Sequence, residues 1–326
     1  MIGQKAILTL PILHNTMAAK NTNKLNLSEM FHNSLKGKVF VVTGAGSGLG
    51  KALSLSLAFS GAKVGLLDIN ETAITKLKQE LDENYGKDTT FVMVASVSDD
   101  AQLEKAYSAL VNEYGRLDGL INCAGIAKLG SINEVSAHDI KLSNDINING
   151  YFLNANIASK LMIKSIAEKK TSTGCIINIS SASARGISEA TSLYGTSKEA
   201  DCMMVRLWAT DLGKHNIRVN AILPGDLFGN EEAGIDSGIW NQKYFEKKAI
   251  YKGLVKEKDS RIGGQKLDPD IRKLVIDHYV SRTSLRKEIT YADVAHMMLF
   301  LCSDLCEKVT GESIPVTSGN PAAFSR

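Results

Sequence analysis

Two apolar patterns alternate along the chain. Short runs of apolar, mostly β-branched residues lie at 38–43, 62–68, 89–95, 117–122 and 174–181, bordered by glycine, aspartate, asparagine or serine. Runs of that length with those borders predict buried strands. Between them, 51–60, 99–114 and the long stretch 137–169 read as helices, and a further segment continues apolar from Tyr194 to Leu212. Strands alternating with helices of this length predict an α/β fold with a parallel sheet covered on both faces. A ligand of such a sheet lies at the carboxyl ends of its strands.

The first run ends at Thr43 and is followed by Gly44-Ala45-Gly46-Ser47-Gly48-Leu49-Gly50. Strand, tight glycine turn and helix start together form a phosphate cradle. Glycines let the backbone approach an anion, and the helix's free N–H groups and positive dipole end stabilise it. The spacing Gly44, Gly48, Gly50 is not the commonest dinucleotide fingerprint, and alone it also fits a plain glycine-rich connection. Asp68 closes the second run 18 residues beyond Gly50. There a carboxylate accepts hydrogen bonds from an adenosine ribose and repels a 2′-phosphate, which favours NAD over NADP. Asp68 is also placed to cap the helix beginning near Glu71, and the two roles are compatible. Asn122 closes the fourth run, so Gly44, Asp68 and Asn122 fall at one edge of the sheet. The whole is expected to be a Rossmann-type doubly wound sheet.

Asp145-Ile146-Asn147-Ile148-Asn149-Gly150 interrupts the long helical stretch with poor helix formers, a local break that calls for a reason. Tyr194 and Lys198 stand four apart, on one face if helical. A tyrosine titrates near 10, and an ammonium one turn away stabilises its phenolate and makes it a usable acid/base. Ser181, ending the fifth strand, can donate to an oxygen on which charge develops. As an isolated pair, Tyr-x-x-x-Lys equally describes helix-surface decoration.

Composition narrows the field. The 326 residues are 44% hydrophobic and 22% charged, ordinary for a globular protein with a sizeable core. A net charge of +3, with scattered lysines and few aromatics, gives no nucleic-acid footprint. Five cysteines without a CxxC pair or zinc-type histidine spacing suggest free thiols in the reducing cytoplasm, and no metal site. No run approaches the ~20 apolar residues that span a bilayer. Lys5 and the apolar residues after it mimic an export signal only thinly, so residues 1–35 are expected to be a loose N-terminal extension.

Taken together, these motifs resemble the classical short-chain dehydrogenase/reductase family from about residue 36 to 319. Thr43-Gly44-x-x-x-Gly48-x-Gly50 matches its cofactor turn, Asn122-x-Ala124-Gly125 the motif after its fourth strand, and Arg218-Val219-Asn220 with Pro224-Gly225 its sixth strand. The resemblance implies a catalytic tetrad of Asn147, Ser181, Tyr194 and Lys198. Tyr194 would exchange the proton, Lys198 hold the nicotinamide ribose, Ser181 orient the substrate oxygen and Asn147 hold a relay water, which would account for the broken helix. It also implies NAD contacts at Gly44, Ser47, Gly48, Leu49, Gly50, Asp68, Ser96, Val97, Asn122, Ala124, Gly125, Tyr194, Lys198, Pro224, Gly225 and Leu227. Ser96-Val97 stands where the family has an aspartate beside the adenine, Cys123 replaces a small residue, and Val316-Thr317-Ser318-Gly319 lacks the usual Asp-Gly-Gly. A homo-oligomer, dimer or tetramer, is implied through the faces of helices 150–169 and 195–212.

Residues 226–290 form a long insertion expected to act as a substrate lid within a single domain spanning 36–326. Gly238-Ile239-Trp240, the run from Tyr279 to Leu285 and the ending Ala322-Ala323-Phe324-Ser325-Arg326 resemble the dehydrogenase half of bifunctional rhamnulose-phosphate aldolase/alcohol dehydrogenases. Gly150-Tyr151-Phe152-Leu153 and the helix from Tyr291 resemble sorbitol-6-phosphate dehydrogenases. No aldolase-like segment accompanies them here, so a bifunctional role is not expected. The resemblance points to NAD-dependent hydride transfer on a polyol, a sugar phosphate or a small hydroxyaldehyde. Lys243, Lys247, Lys248, Lys252, Lys256, Lys258 and Arg261 either clamp a substrate phosphate or form a solvated face; Trp240 either stacks on a sugar or anchors the lid. Rival readings are a reductase of hydrophobic carbonyls, which a polar lid disfavours, and a non-catalytic NAD(H) sensor, which would not need the intact tetrad.

Overall fold

The computed structural model describes residues 33–228, 249, 252–254 and 269–324. The expected extension up to residue 32 and most of the lid, including Trp240 and every lid cation named above except Lys252, lie outside the described residues, as do Ser325 and Arg326. Leu35 is fully buried with Phe40 and Leu57, so the packed body already includes the last residues assigned to the extension.

Seven strands form one sheet in the order β3-β2-β1-β4-β5-β6-β7, every pairing parallel. They are β1 Val39–Thr43, β2 Lys63–Asp68, β3 Thr90–Val94, β4 Gly119–Asn122, β5 Gly174–Ile179, β6 Ile217–Pro224 and β7 Ser313–Val316. The main helices are α1 Gly48–Phe59, α2 Glu71–Tyr85, α3 Asp100–Tyr114, α4 Ala137–Asn144, α5 Gly150–Ala167, α6 Ser192–Leu212, α7 Pro269–Val280 and α8 Tyr291–Cys302. The chain runs outward from β1 through β3, then returns to the far side of β1 for β4. That reversal opens a crevice between the carboxyl ends of β1 and β4, where doubly wound sheets bind ligands.

Strand β1 shows how the period-2 pattern builds both layers. Phe40 and Val42 face a cluster made with α1, α2 and α8, including Leu53, Ile74 and Met298. Val39 and Val41 face the opposite cluster with α3, α5 and α6, including Leu103, Ala158 and Val205. Burial of both strand faces explains why these runs read as continuously apolar instead of alternating.

Candidate active site

A cleft of about 1250 Å³ runs along the carboxyl edge of the sheet. At one end lies the glycine turn. Gly44 has φ +69°, and a Cβ there would stand 2.9 Å from the Ala124 Cα; a Cβ on Gly50 would strike the Gly44 carbonyl. Only glycine lets the two strand ends and the helix start converge this closely. The Thr43 hydroxyl locks the convergence by accepting from the Cys123 and Ala124 amides at 2.9 and 3.0 Å. Ser47 precedes α1 in an extended conformation and its side chain makes no capping bond, so the helix start faces the cleft without a hydroxyl lid.

Asp68 also lines the cleft, and its two oxygens accept from the Gly46 and Asn70 amides, each at 2.9 Å. The capping role considered for Asp68 belongs instead to Asn70, whose side chain accepts from the Ala73 amide at 3.0 Å. Ser47, Gly48, Leu49, Ser96, Val97, Ala124, Gly125, Pro224, Gly225 and Leu227 line the same cleft. Asn122 does not. It is fully buried, and its amide bridges β4 to β5 through Asn178 at 3.0 Å, so the fourth-strand asparagine ties the sheet together behind the cleft.

At the other end, Ser181, Tyr194 and Lys198 line the wall together. Ser181 shares a hydrogen bond with Tyr194, and the Lys198 Nζ sits 5.9 Å from the tyrosine ring centre. Burial pushes the Tyr194 phenol above its ordinary range; Lys198 and the Ser181 bond pull it down, while Asp201 and Asp226 push it up. Lys198 does lower the phenol as its spacing implies, yet desolvation outweighs it. All three ammonium hydrogens of Lys198 have acceptors: the Ile179 carbonyl at 3.0 Å, the Tyr151 hydroxyl at 3.2 Å and the Asp201 carboxylate at 3.0 Å. Tyr151 in turn donates to the Ile179 carbonyl at 2.9 Å.

The interruption before α5 is a π-helical turn, Asp145–Asn149. Its Asn147 is fully buried and does not line the cleft. The side chain accepts from the Ile126 amide at 2.9 Å and donates to the Ile126 carbonyl at 2.9 Å and the Ser197 hydroxyl at 3.0 Å. It thereby fastens the loop after β4 to α6.

The sequence pattern gives several side chains no role of their own. Thr43 and Tyr151 act through contacts between distant segments, which no local pattern reveals. Asp201 was findable: it lies three residues after Lys198, on the same face of a helix that otherwise turns apolar residues inward. Lys252 and Arg282 bring positive charge to the cleft, with Asp226 and Tyr279 alongside.

Residues 38–230 match the family model described as short chain dehydrogenase. The chain belongs to that family. Sorbitol-6-phosphate 2-dehydrogenase of Escherichia coli (strain K12) is 30% identical over 86% of this dehydrogenase and 98% of its own length. A solved NAD⁺-bound xylitol dehydrogenase matches with a TM-score of 0.73 and 26% identity, over 87% of this chain and 99% of that one. An uncharacterized oxidoreductase of Bacillus subtilis (strain 168) is 28% identical over 89% of this chain, which spans only 38% of that relative's length. The expected resemblance to sorbitol-6-phosphate dehydrogenases therefore holds.

Proposed function

We propose that this short-chain dehydrogenase interconverts an alcohol and a carbonyl with NAD, on a polyol or its phosphate ester, in the cytoplasm. The observation that carries the reading is the meeting of Ser181, Tyr194 and Lys198 at one end of a cleft whose other end presents a glycine turn and a carboxylate. The residues fit a dinucleotide. The crowding at Gly44 and Gly50 and the helix start left open by Ser47 suit a pyrophosphate, and Asp68 suits a ribose that carries no 2′-phosphate. Five unpaired thiols suit a reducing compartment.

Bound there, NAD supplies the hydride acceptor or donor. The chain's own groups handle the proton. In oxidation, Tyr194 takes the proton from the substrate hydroxyl as its phenolate, and in reduction the phenol returns it. Ser181 donates to the substrate oxygen and holds it beside Tyr194. The Lys198 ammonium stabilises the phenolate, and Asn147 fixes the π-helical turn whose backbone would hold a relay water.

Lys252 and Arg282 support an anionic end on the substrate. Lys252 donates to the Ser188 hydroxyl at 3.0 Å, the Arg282 guanidinium lies 3.2 Å from a His278 ring nitrogen and acts on Tyr279, and neither forms a salt bridge among the described residues. Burial, then the charges of Arg282 and Lys252, hold the His278 imidazole below its ordinary range, so two like charges gather at one place. Asp226 acts on Tyr194, beside the proposed chemistry, and also on Tyr279, which it shares with Arg282. A substrate with hydroxyls at its reacting end and a phosphate at the other fits that polarity.

The test is NADH formation with matched polyols and polyol phosphates, with NADP in parallel. The expected result is turnover with NAD, abolished in Tyr194→Phe while NADH binding remains, and a KM at least tenfold lower for the phosphate ester, a gap that Lys252→Met and Arg282→Met close. Turnover confined to steroid or acyl carbonyls would overturn the substrate class, and an active Tyr194→Phe would overturn the proton route.

A further inference from the structure

Asp201 lies one helical turn past Lys198 on the inner face of α6 and is fully buried. Its Oδ2 accepts from the Lys198 ammonium at 3.0 Å, whereas its Oδ1 is buried with no hydrogen-bond partner. An orphaned carboxylate oxygen is not what packing selects. Replacing a buried ion pair by apolar side chains of similar volume is often neutral or stabilising, so stability alone gives little reason for this acid. Its neighbour gives one. Lys198 is 3% exposed, and burial at that depth works against the ammonium more than any other single influence.

We propose that Asp201 is a positioning residue for proton transfer at Tyr194: its carboxylate keeps the buried Lys198 in its ammonium form and fixes the direction in which that charge points. The inference rests on the acid/base reading of Tyr194 and Lys198 given above. The groups facing Lys198 are Tyr151 from α5, Tyr194 and Asp201 from α6, and Cys123 beyond β4, with Asp226 beyond β6 acting on Tyr194. Burial pushes the Cys123 thiol up to about 12 and raises the Tyr151 phenol, so both are neutral under working conditions. Asp201 is then the one carboxylate touching the ammonium among the described residues. Against desolvation, Asp201 with the Tyr151 and Tyr194 oxygens holds Lys198 above its ordinary range. Burial pushes the Asp201 carboxyl up to about 6 although Lys198 pulls it down, so above that pH the pair carries both charges.

The sign follows. Without the carboxylate, the largest influence opposing desolvation of Lys198 is gone, and the ammonium loses its proton at lower pH. Wild-type turnover in the oxidation direction should rise with pH as Tyr194 ionises and then stay level. In Asp201→Asn, which keeps the shape, a descending alkaline limb should appear as Lys198 becomes neutral and stops supporting the phenolate. A readout independent of substrate is nitrogen NMR of the lysine-labelled protein, with the Lys198 signal assigned by its disappearance in Lys198→Met. The expected result is a Lys198 titration at least about one pH unit lower in Asp201→Asn than in wild type. Asp201→Leu should show the same shift with a melting temperature no lower than that of Asp201→Asn, and Asp201→Glu should restore the alkaline plateau.

An unchanged Lys198 titration in folded Asp201→Asn or Asp201→Leu overturns the proposal, whatever happens to stability. A shifted titration in a protein that turns over no alcohol supports the Asp201–Lys198 linkage and faults the functional reading instead.

Discussion

At Asp68 one carboxylate meets two backbone amides, those of Gly46 and Asn70, so the group expected to choose the cofactor also braces the turn that would cradle it. Asp68→Ala should therefore do two separable things. Loss of the brace loosens the turn and raises KM for NAD and NADP alike. Loss of the negative charge removes the repulsion of a 2′-phosphate, so the ratio of kcat/KM for NAD over NADP should fall by about tenfold or more, ~1.4 kcal/mol per decade. Only the ratio tests the charge, and a ratio that stays put would assign cofactor choice to another group. The acid's position was legible, because the distance from the glycine turn follows from one strand–helix–strand unit. Its grip on Gly46 was not legible, because the two residues stand 22 apart and meet only once β1 and β2 pair in register.

The helix interruption at the scale of elements teaches a similar lesson. Two asparagines and a glycine in six residues announced a break in an otherwise helical stretch, and the chain answers with a π turn, not a loop. What the pattern could not reveal is the use made of the side chain: Asn147 satisfies both backbone groups of Ile126 and reaches Ser197, itself bonded to the Tyr194 carbonyl at 2.8 Å. Asn122, three residues from a recognisable glycine, likewise looked like a ligand contact but spends its amide on β5. Asn147→Ala should leave the Ile126 amide and carbonyl, part-buried at the cleft wall, without their side-chain partner, a loss of about 1–3 kcal/mol in urea unfolding. Turnover should fall further than that loss explains, because the loop after β4 and the helix bearing Tyr194 come apart. A change in stability below about 0.5 kcal/mol would show that water replaces the amide there.

On the whole molecule, the two helices that supply the site from inside present an apolar stripe outside. Phe152 on α5 packs edge-on against Trp208 on α6 at 5.1 Å between ring centres, and Met203 and Leu207 extend the patch, 49% and 56% exposed. A contiguous apolar face of this kind, on elements expected from the family resemblance to pair, predicts self-association through α5 and α6. The inner face of α6 carries Tyr194, Lys198 and Asp201, so an interface on its outer face would stiffen the helix on which the proposed chemistry depends. Leu207→Asp places an unpaired charge where that interface would close, which costs roughly 2–5 kcal/mol and weakens association by about thirtyfold or more. Sedimentation velocity should then show wild type as dimer or tetramer and Leu207→Asp shifted toward monomer, with kcat reduced in the dissociated form. Phe59→Asp, at a position 43% exposed at the end of α1, which packs on the opposite face of the sheet from both helices, serves as the control and should leave assembly and turnover unchanged. Equal sedimentation of Leu207→Asp and wild type as oligomers would place the contact on another face, and a wild type that sediments as a monomer would leave the stripe a solvent-facing surface.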